Sequence, residues 1–163
     1  LVELLKQDYS FDLYAVFTAQ EEVGLRGAQV AAYAVKPDVA IALEGTICDE
    51  LPKKKDVSPV TEAGKGPAIT FMDRSVISDR RLVDLLASTA KRLGIPYQFK
   101  RAAEGGTDAG AIHLSGAGVP SVVVAVPSRY IHAPVTLLSL NDFDHTVQLV
   151  RETLHALEGG LPS

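Results

Sequence analysis

The chain has 163 residues, 47% of them hydrophobic and 22% charged, with a formal net charge of −4. That is the composition of one ordinary domain long enough to bury a core, and its acidic balance excludes the basic footprint of a general nucleic-acid binder. No apolar run approaches the roughly 18 residues of a membrane span, no stretch reads as a signal peptide, and the single cysteine, Cys48, closes no internal disulfide; the expected setting is reducing and cytoplasmic.

The opening LVELLKQ places Leu1, Leu4 and Leu5 at helical spacing with neither an initiator Met nor a cap. It reads as a helix entered midway, so residues preceding Leu1 are expected. Phe11 to Thr18, FDLYAVFT, is rich in β-branched and aromatic residues and too short for a typical helix, which predicts a buried strand. Leu25 to Val35 spaces Leu25, Ala28, Ala31, Ala32 and Val35 by three and four and stops before Pro37, as a helix does. VAIALEG, Val39 to Gly45, is a second strand that ends on a carboxylate, Glu44. Residues 46 to 66, with Lys53, Lys54, Lys55 and several Gly and Pro, read as a long solvated loop. A strand is predicted over 67–73 and a helix over 78–94, with Leu82, Leu85, Leu86 and Leu93 on one side, Ser78 as cap and Gly94 as stop. PYQFKRA follows as a strand, then the EGGTDAG turn, a short helix through Ile112 to Leu114, the core strand PSVVVAVP, and a last helix from about Asn141 to Leu157. Alternating strands and helices with continuous apolar strands imply an α/β fold: a largely parallel sheet, mixed at its edge, sandwiched by helices.

Glu21 and Glu22, Glu44, Asp108 in the GTDAG turn, and His132 each follow or end a predicted strand. In a parallel sheet the carboxyl ends of strands share one side, where open α/β sheets build their sites. Three carboxylates and an imidazole gathered there would suit a divalent metal, which relieves their mutual repulsion.

TAQEEVGLRGA, ALEGT, GGTDAGAIH and VPSRYIHAP occur in this order over nearly the whole chain. As a set they resemble the motifs of the tetrahedral, dinuclear-metal aminopeptidases, which include glutamyl aminopeptidases and relatives labelled endoglucanases. The resemblance implies a catalytic domain with two divalent ions, zinc or cobalt, acting on peptide substrates in a homo-oligomer. Glu21 would then be the general base, Glu22 and His132 would hold one ion, and Glu44, where the family more often has Asp, would hold the other. It also implies that residues 1–163 are the carboxyl-terminal half of that domain. A first histidine ligand, a bridging aspartate and a small inserted assembly domain would lie upstream, and the piece alone would be inactive.

Plainer roles stand beside these. Acidic residues favour a helix entrance, which would explain Glu21 and Glu22, and Glu44 could be a loop-facing charge. Thr107 and Asp108 either contact substrate or shape the Gly-Gly turn and cap the next helix. Arg129 either binds a substrate carboxylate or pairs with a neighbour. His113 reads as structural, His145 and His155 as solvated, and Cys48 has no base to make it a nucleophile. Amide deacylation on the same metals and a non-catalytic peptide-binding module are the competing functions; a retained general base speaks against the latter.

Overall fold

The computed structural model describes residues 1–49 and 59–162. After a single 3-10 turn at Leu4–Lys6 the elements are α1 (Arg26–Val35), β1 (Ala40–Ile47), β2 (Ala68–Thr70), α2 (Arg80–Leu93), β3 (Gln98–Phe99), α3 (Ala109–Ile112), β4 (Ser121–Arg129), β5 (Leu137–Leu138) and α4 (Leu140–Ala156). The strands form one sheet in the order β1-β4-β2-β3, with β5 added to β4. β1 and β4 run parallel from Ala40 opposite Ser121 to Ile47 opposite Ser128, and β2 and β3 are parallel; β2 and β5 pair with β4 antiparallel. The expected α/β fold with a mostly parallel sheet between helices is therefore present.

β4 is the spine. Val122, Val123, Val124 and Ala125 are all at most 1% exposed, as a strand covered on both faces requires. Val122 and Val124 join Ile69, Leu82, Leu86, Leu149 and Leu154 in the core under α2 and α4. Val123 joins Ala42, Val76 and Ala109 on the opposite face. Pro127 is tolerated in so central a strand because its missing N–H falls on the side away from β1. There it lies between the end of the β2 ladder at Ala125 and the start of the β5 ladder at Ser128.

Several sequence expectations shift. LVELLKQ forms only the 3-10 turn, with Leu4 buried and Leu5 half exposed to solvent. Phe11 to Thr18 is extended but is not a strand. Phe11, Leu13 and Ala15 are half-buried and alternate with exposed Asp12, Tyr14 and Val16, and no backbone hydrogen bond ties residues 12–18 to another described residue. A strand needs a neighbouring edge, and a cavity of about 710 Å³ separates this segment from β1. The helix cap is Asp79, which accepts from the Arg81 N–H at 2.9 Å, while Ser78 donates to the Thr70 carbonyl at 2.6 Å. Gly94 stops α2 in the left-handed region as expected. β1 outruns its predicted end by two residues, so Glu44 lies inside it, opposite Ala125. The short helix starts at Ala109, three residues early, and His113 closes it with Nδ1 at 2.9 Å from the Ala109 carbonyl. His155 is not simply solvated: its ring lies 4.9 Å from that of Tyr9, with Nδ1 3.1 Å from Glu158. Lys53 to Lys55 lie outside the described residues.

Candidate active site

Glu21 and Glu22 sit on a tight reversal between the extended segment and α1. Gln20 and Leu25 both adopt left-handed backbone, with φ of 61° and 56°, conformations costly for residues with a Cβ. The Leu25 and Gly24 N–H groups donate to the Glu21 carbonyl at 2.9 and 3.1 Å, and the Gly27 N–H donates to the Ala19 carbonyl at 2.9 Å. Gly27 is required here, since a Cβ would stand 2.5 Å from the Ala19 backbone. The hairpin bends the two glutamates out of the chain's line.

His132 comes from an equally tight turn just past β4, where Tyr130 has a φ of 63° and the Ala133 N–H donates to its carbonyl at 2.9 Å. The turn carries the imidazole Nε2 to 3.5 Å from the Glu22 carboxylate, with both side chains largely open to solvent.

Glu44 approaches from β1. It is half-buried, with the backbone N–H of Asp108 near enough to favour its charged form. Burial, and next the charge of Glu21, push its pKa up to about 7; the Asp108 N–H opposes the rise, and the charges of Asp108 and Asp73 add to it. Glu21 is raised too, by burial and then by Glu22 and Asp108, with His132 pulling the other way. These groups act on one another as one electrostatic cluster although they come from five separate segments. Among the described residues, however, no three His, Cys, Asp or Glu side chains converge closely enough to hold a metal ion.

The GTDAG turn is built to hold Asp108. The Thr18 hydroxyl donates to Asp108 Oδ2 at 2.5 Å, while Oδ1 is buried without a partner among the described residues. Thr107 is buried as well, its hydroxyl committed to Asp73 Oδ2 at 3.0 Å. Asp73 Oδ1 accepts from the Ser75 N–H, the Ser75 hydroxyl and the Val76 N–H at 2.7, 2.8 and 3.0 Å, and Ser75 Oγ accepts the Thr107 N–H at 3.3 Å. Gly110 is packed so closely that a Cβ would meet Ser75 Oγ at 2.3 Å. Asp73 and Ser75 did not stand out in the sequence, yet Asp-x-Ser in MDRS is a local Asx-turn signature that could have found them. Arg129 is the last residue of β4, half-buried and opposite Leu137 in the ladder.

Carboxylates and an imidazole gathered against one part of an α/β sheet are the equipment of acid–base hydrolytic chemistry. The chain belongs to the M42 glutamyl aminopeptidase family, which matches residues 1–149. A TET aminopeptidase from a marine sediment archaeon of the Thaumarchaeota is 44% identical and superposes with a TM-score of 0.83, over 89% of this chain and 42% of that one. The TET1 peptidase of Pyrococcus horikoshii, described as assembling into a tetrahedron or a large octahedral shell, is 38% identical with a TM-score of 0.69, over 85% of this chain and 39% of that one. The lysyl aminopeptidase of Pyrococcus furiosus is 34% identical over 161 residues, 97% of this chain and 45% of its own length. The chain thus spans less than half the length of each of these relatives.

Proposed function

We propose that these residues form part of a metal-dependent aminopeptidase that removes amino-terminal residues from peptides, with Glu21 as its general base. The observation that supports this is that Glu21 feels the charges of two groups of residues: Glu22 and His132, themselves 3.5 Å apart, and Glu44 and Asp108. The buried Asp108 oxygen without a partner among the described residues and the mutually raised carboxyl groups describe a cluster short of positive charge, which two divalent ions, zinc or cobalt, would correct. Glu22 and His132 would hold one and Glu44 the other. Three protein ligands are fewer than two catalytic ions need, and a His and an Asp from outside these residues would complete the set. Bound ions supply Lewis-acid polarisation of the scissile carbonyl and of the attacking water.

The remaining steps belong to the chain's own residues. Glu21, tilted out by the Gln20 reversal, takes the proton from the attacking water on one carboxylate oxygen and returns it to the leaving amine, so that it ends the cycle ionised again. Asp108, with one oxygen held by Thr18 and the other buried without a partner among the described residues, would accept a hydrogen bond from the substrate's terminal ammonium once the site opens to it, while Thr107 keeps its turn in position through Asp73. Arg129 is assigned to a carboxylate of the peptide. The parent protein is proposed to be a homo-oligomer carrying an additional assembly domain, in line with the shell described for the TET1 peptidase.

The test is Glu21→Gln in the full-length protein. Turnover of aminoacyl substrates is expected to fall by about a hundredfold or more, the typical scale for losing a general base, while KM and metal content stay close to wild type. Unchanged turnover would assign the proton transfer elsewhere. A parallel panel of N-acyl substrates separates aminopeptidase from deacylase, because only the former needs a free terminal amine.

A further inference from the structure

The hairpin that carries Glu21 and Glu22 comes down on the GTDAG turn at both of its ends. On one side the Thr18 hydroxyl donates to Asp108 Oδ2 at 2.5 Å. On the other, Gly110 is packed so that a Cβ would meet Leu25 Cδ1 at 3.3 Å as well as Ser75 Oγ at 2.3 Å. The turn has a footing of its own in residues 73–76. The Arg74 N–H donates to the Gly105 carbonyl at 2.9 Å, the Thr107 N–H to Ser75 Oγ at 3.3 Å, and the Thr107 hydroxyl to Asp73 Oδ2 at 3.0 Å. Residues 73–76 are closed on themselves by the Asp73 N–H, which donates to the Val76 carbonyl at 2.9 Å. Val76 in turn packs with Ala42 of β1 and Val123 of β4. Sheet, loop 73–76, GTDAG turn and hairpin therefore form a stack in which each tier rests on the one beneath.

The two oxygens of Asp73 have different partners. Oδ1 accepts from the Ser75 N–H, the Ser75 hydroxyl and the Val76 N–H, and so shapes its own loop. Oδ2 reaches Thr107, 34 residues away. With Asp73 5% and Thr107 8% exposed, this bond is shielded from competing water, and removing the hydroxyl would leave a buried carboxylate oxygen short of its donor.

We infer that Asp73 and Thr107 are positioning residues for the general base: their hydrogen bond sets the GTDAG turn in place, and the turn sets where the hairpin holds Glu21. The inference rests on the proposed role of Glu21. A base must come within about 2.6–3.2 Å of the proton it takes. Glu21 stands three residues beyond Thr18, on a backbone bent through left-handed Gln20 and Leu25, so a shift of the turn is carried to its carboxylate. A misplacement of about 1 Å costs up to about a hundredfold in rate.

The experiment uses the full-length protein and steady-state kinetics with a fluorogenic aminoacyl substrate. The readout is kcat rather than KM, because Asp108 on the same turn is assigned to the substrate's ammonium. Thr107→Val removes the hydroxyl and keeps the shape; it is expected to lower kcat by about tenfold to a hundredfold, with metal content at the wild-type level. Thr107→Ser, which keeps the hydroxyl, is expected to restore kcat nearly to wild type. In a Glu21→Gln background the same Thr107→Val change is expected to lower kcat by less than about twofold, since the two residues act as one unit. Asp73→Asn keeps an oxygen for the local turn but offers Thr107 an amide in place of a carboxylate oxygen. It is expected to show the same dependence on Glu21, and it decides the matter if Thr107→Val does not fold. Wild-type kcat in both variants would overturn the inference by reducing the stack to a matter of stability. Equal losses with and without Glu21 would also overturn it, by placing the effect elsewhere than at the base. Both results leave the reading of Glu21 standing, whereas wild-type kcat in Glu21→Gln alone would remove that reading and this inference with it.

Discussion

Burial, and then the charges of Glu21, Asp108 and Asp73 around it, push the Glu44 carboxyl pKa up to about 7. A folded pKa above the unfolded value means that the native state holds the proton more tightly. The resulting stability is complete below the unfolded value of 4.5 and is lost as pH rises through about 7. Fully buried, such a shift would be worth about 3 kcal/mol; with part of the group in water, about 1–2 kcal/mol is expected. The metal-free chain should therefore unfold at lower urea concentration at pH 8 than at pH 5.5, and Glu44→Gln should flatten most of that slope. A wild-type midpoint constant across this range would show that Glu44 is ionised throughout. At this scale the sequence is readable where a side chain's setting is local. EEVG and RYIHAP announce their glutamates and histidine because tight turns are short-range objects. The Thr18–Asp108 bond spans 90 residues, and nothing near either residue betrays the other.

Elements end where side chains from elsewhere stop them, and Asp142 shows how much one such contact carries. It lies in the first turn of α4, 1% exposed, and accepts from the Gly64 and Gly66 N–H groups at 2.7 and 2.8 Å. Gly66 in turn passes under Pro96 with a φ of 83°, where a Cβ would come within 1.9 Å of the Pro96 carbonyl. Asp142→Ala would strand the buried Gly66 donor and release the part-buried Gly64 one, and is expected to cost about 3 kcal/mol, from roughly 1–3 for each lost charge-assisted bond. Gly66→Ala should be at least as damaging, because it combines left-handed backbone with a clash against main chain. Chemical denaturation of both variants measures this; a loss under about 1 kcal/mol for either would mean that the loop relaxes away from α4 without penalty. Ser139-x-x-Asp142 is a capping-box pattern, and it foretells the start of α4 but not the loop that the aspartate also holds. For Phe11 to Thr18 the difficulty is reversed. Its residues ask for a strand, yet strand pairing depends on an adjacent backbone edge, and composition alone cannot supply one.

As a whole molecule the chain has a core on both faces of its sheet, but among the described residues no three potential ligands converge closely enough to hold a metal ion, so folding and function should separate. Titration calorimetry with zinc or cobalt is expected to show no tight binding of two ions per chain, and peptide hydrolysis by the same sample should stay at background. Two tightly bound ions with turnover would mean that these 163 residues furnish every ligand themselves. The fold class was legible from alternating apolar strands and helices, whereas the strand order was not. β4 inserts between β1 and β2, and such a crossover leaves no mark on local periodicity. That central place also sets a timetable during synthesis. β1 ends at Ile47 and its partner β4 begins only at Ser121, so at ~5–20 residues per second the ribosome leaves β1 waiting ~4–15 s for the strand it must join. Until then β1 and β2 are apolar strands without a centre. Nascent chains stalled before Ser121 would therefore depend on chaperones, and release of those strands into the sheet would come late and all at once, when β4 clears the exit tunnel.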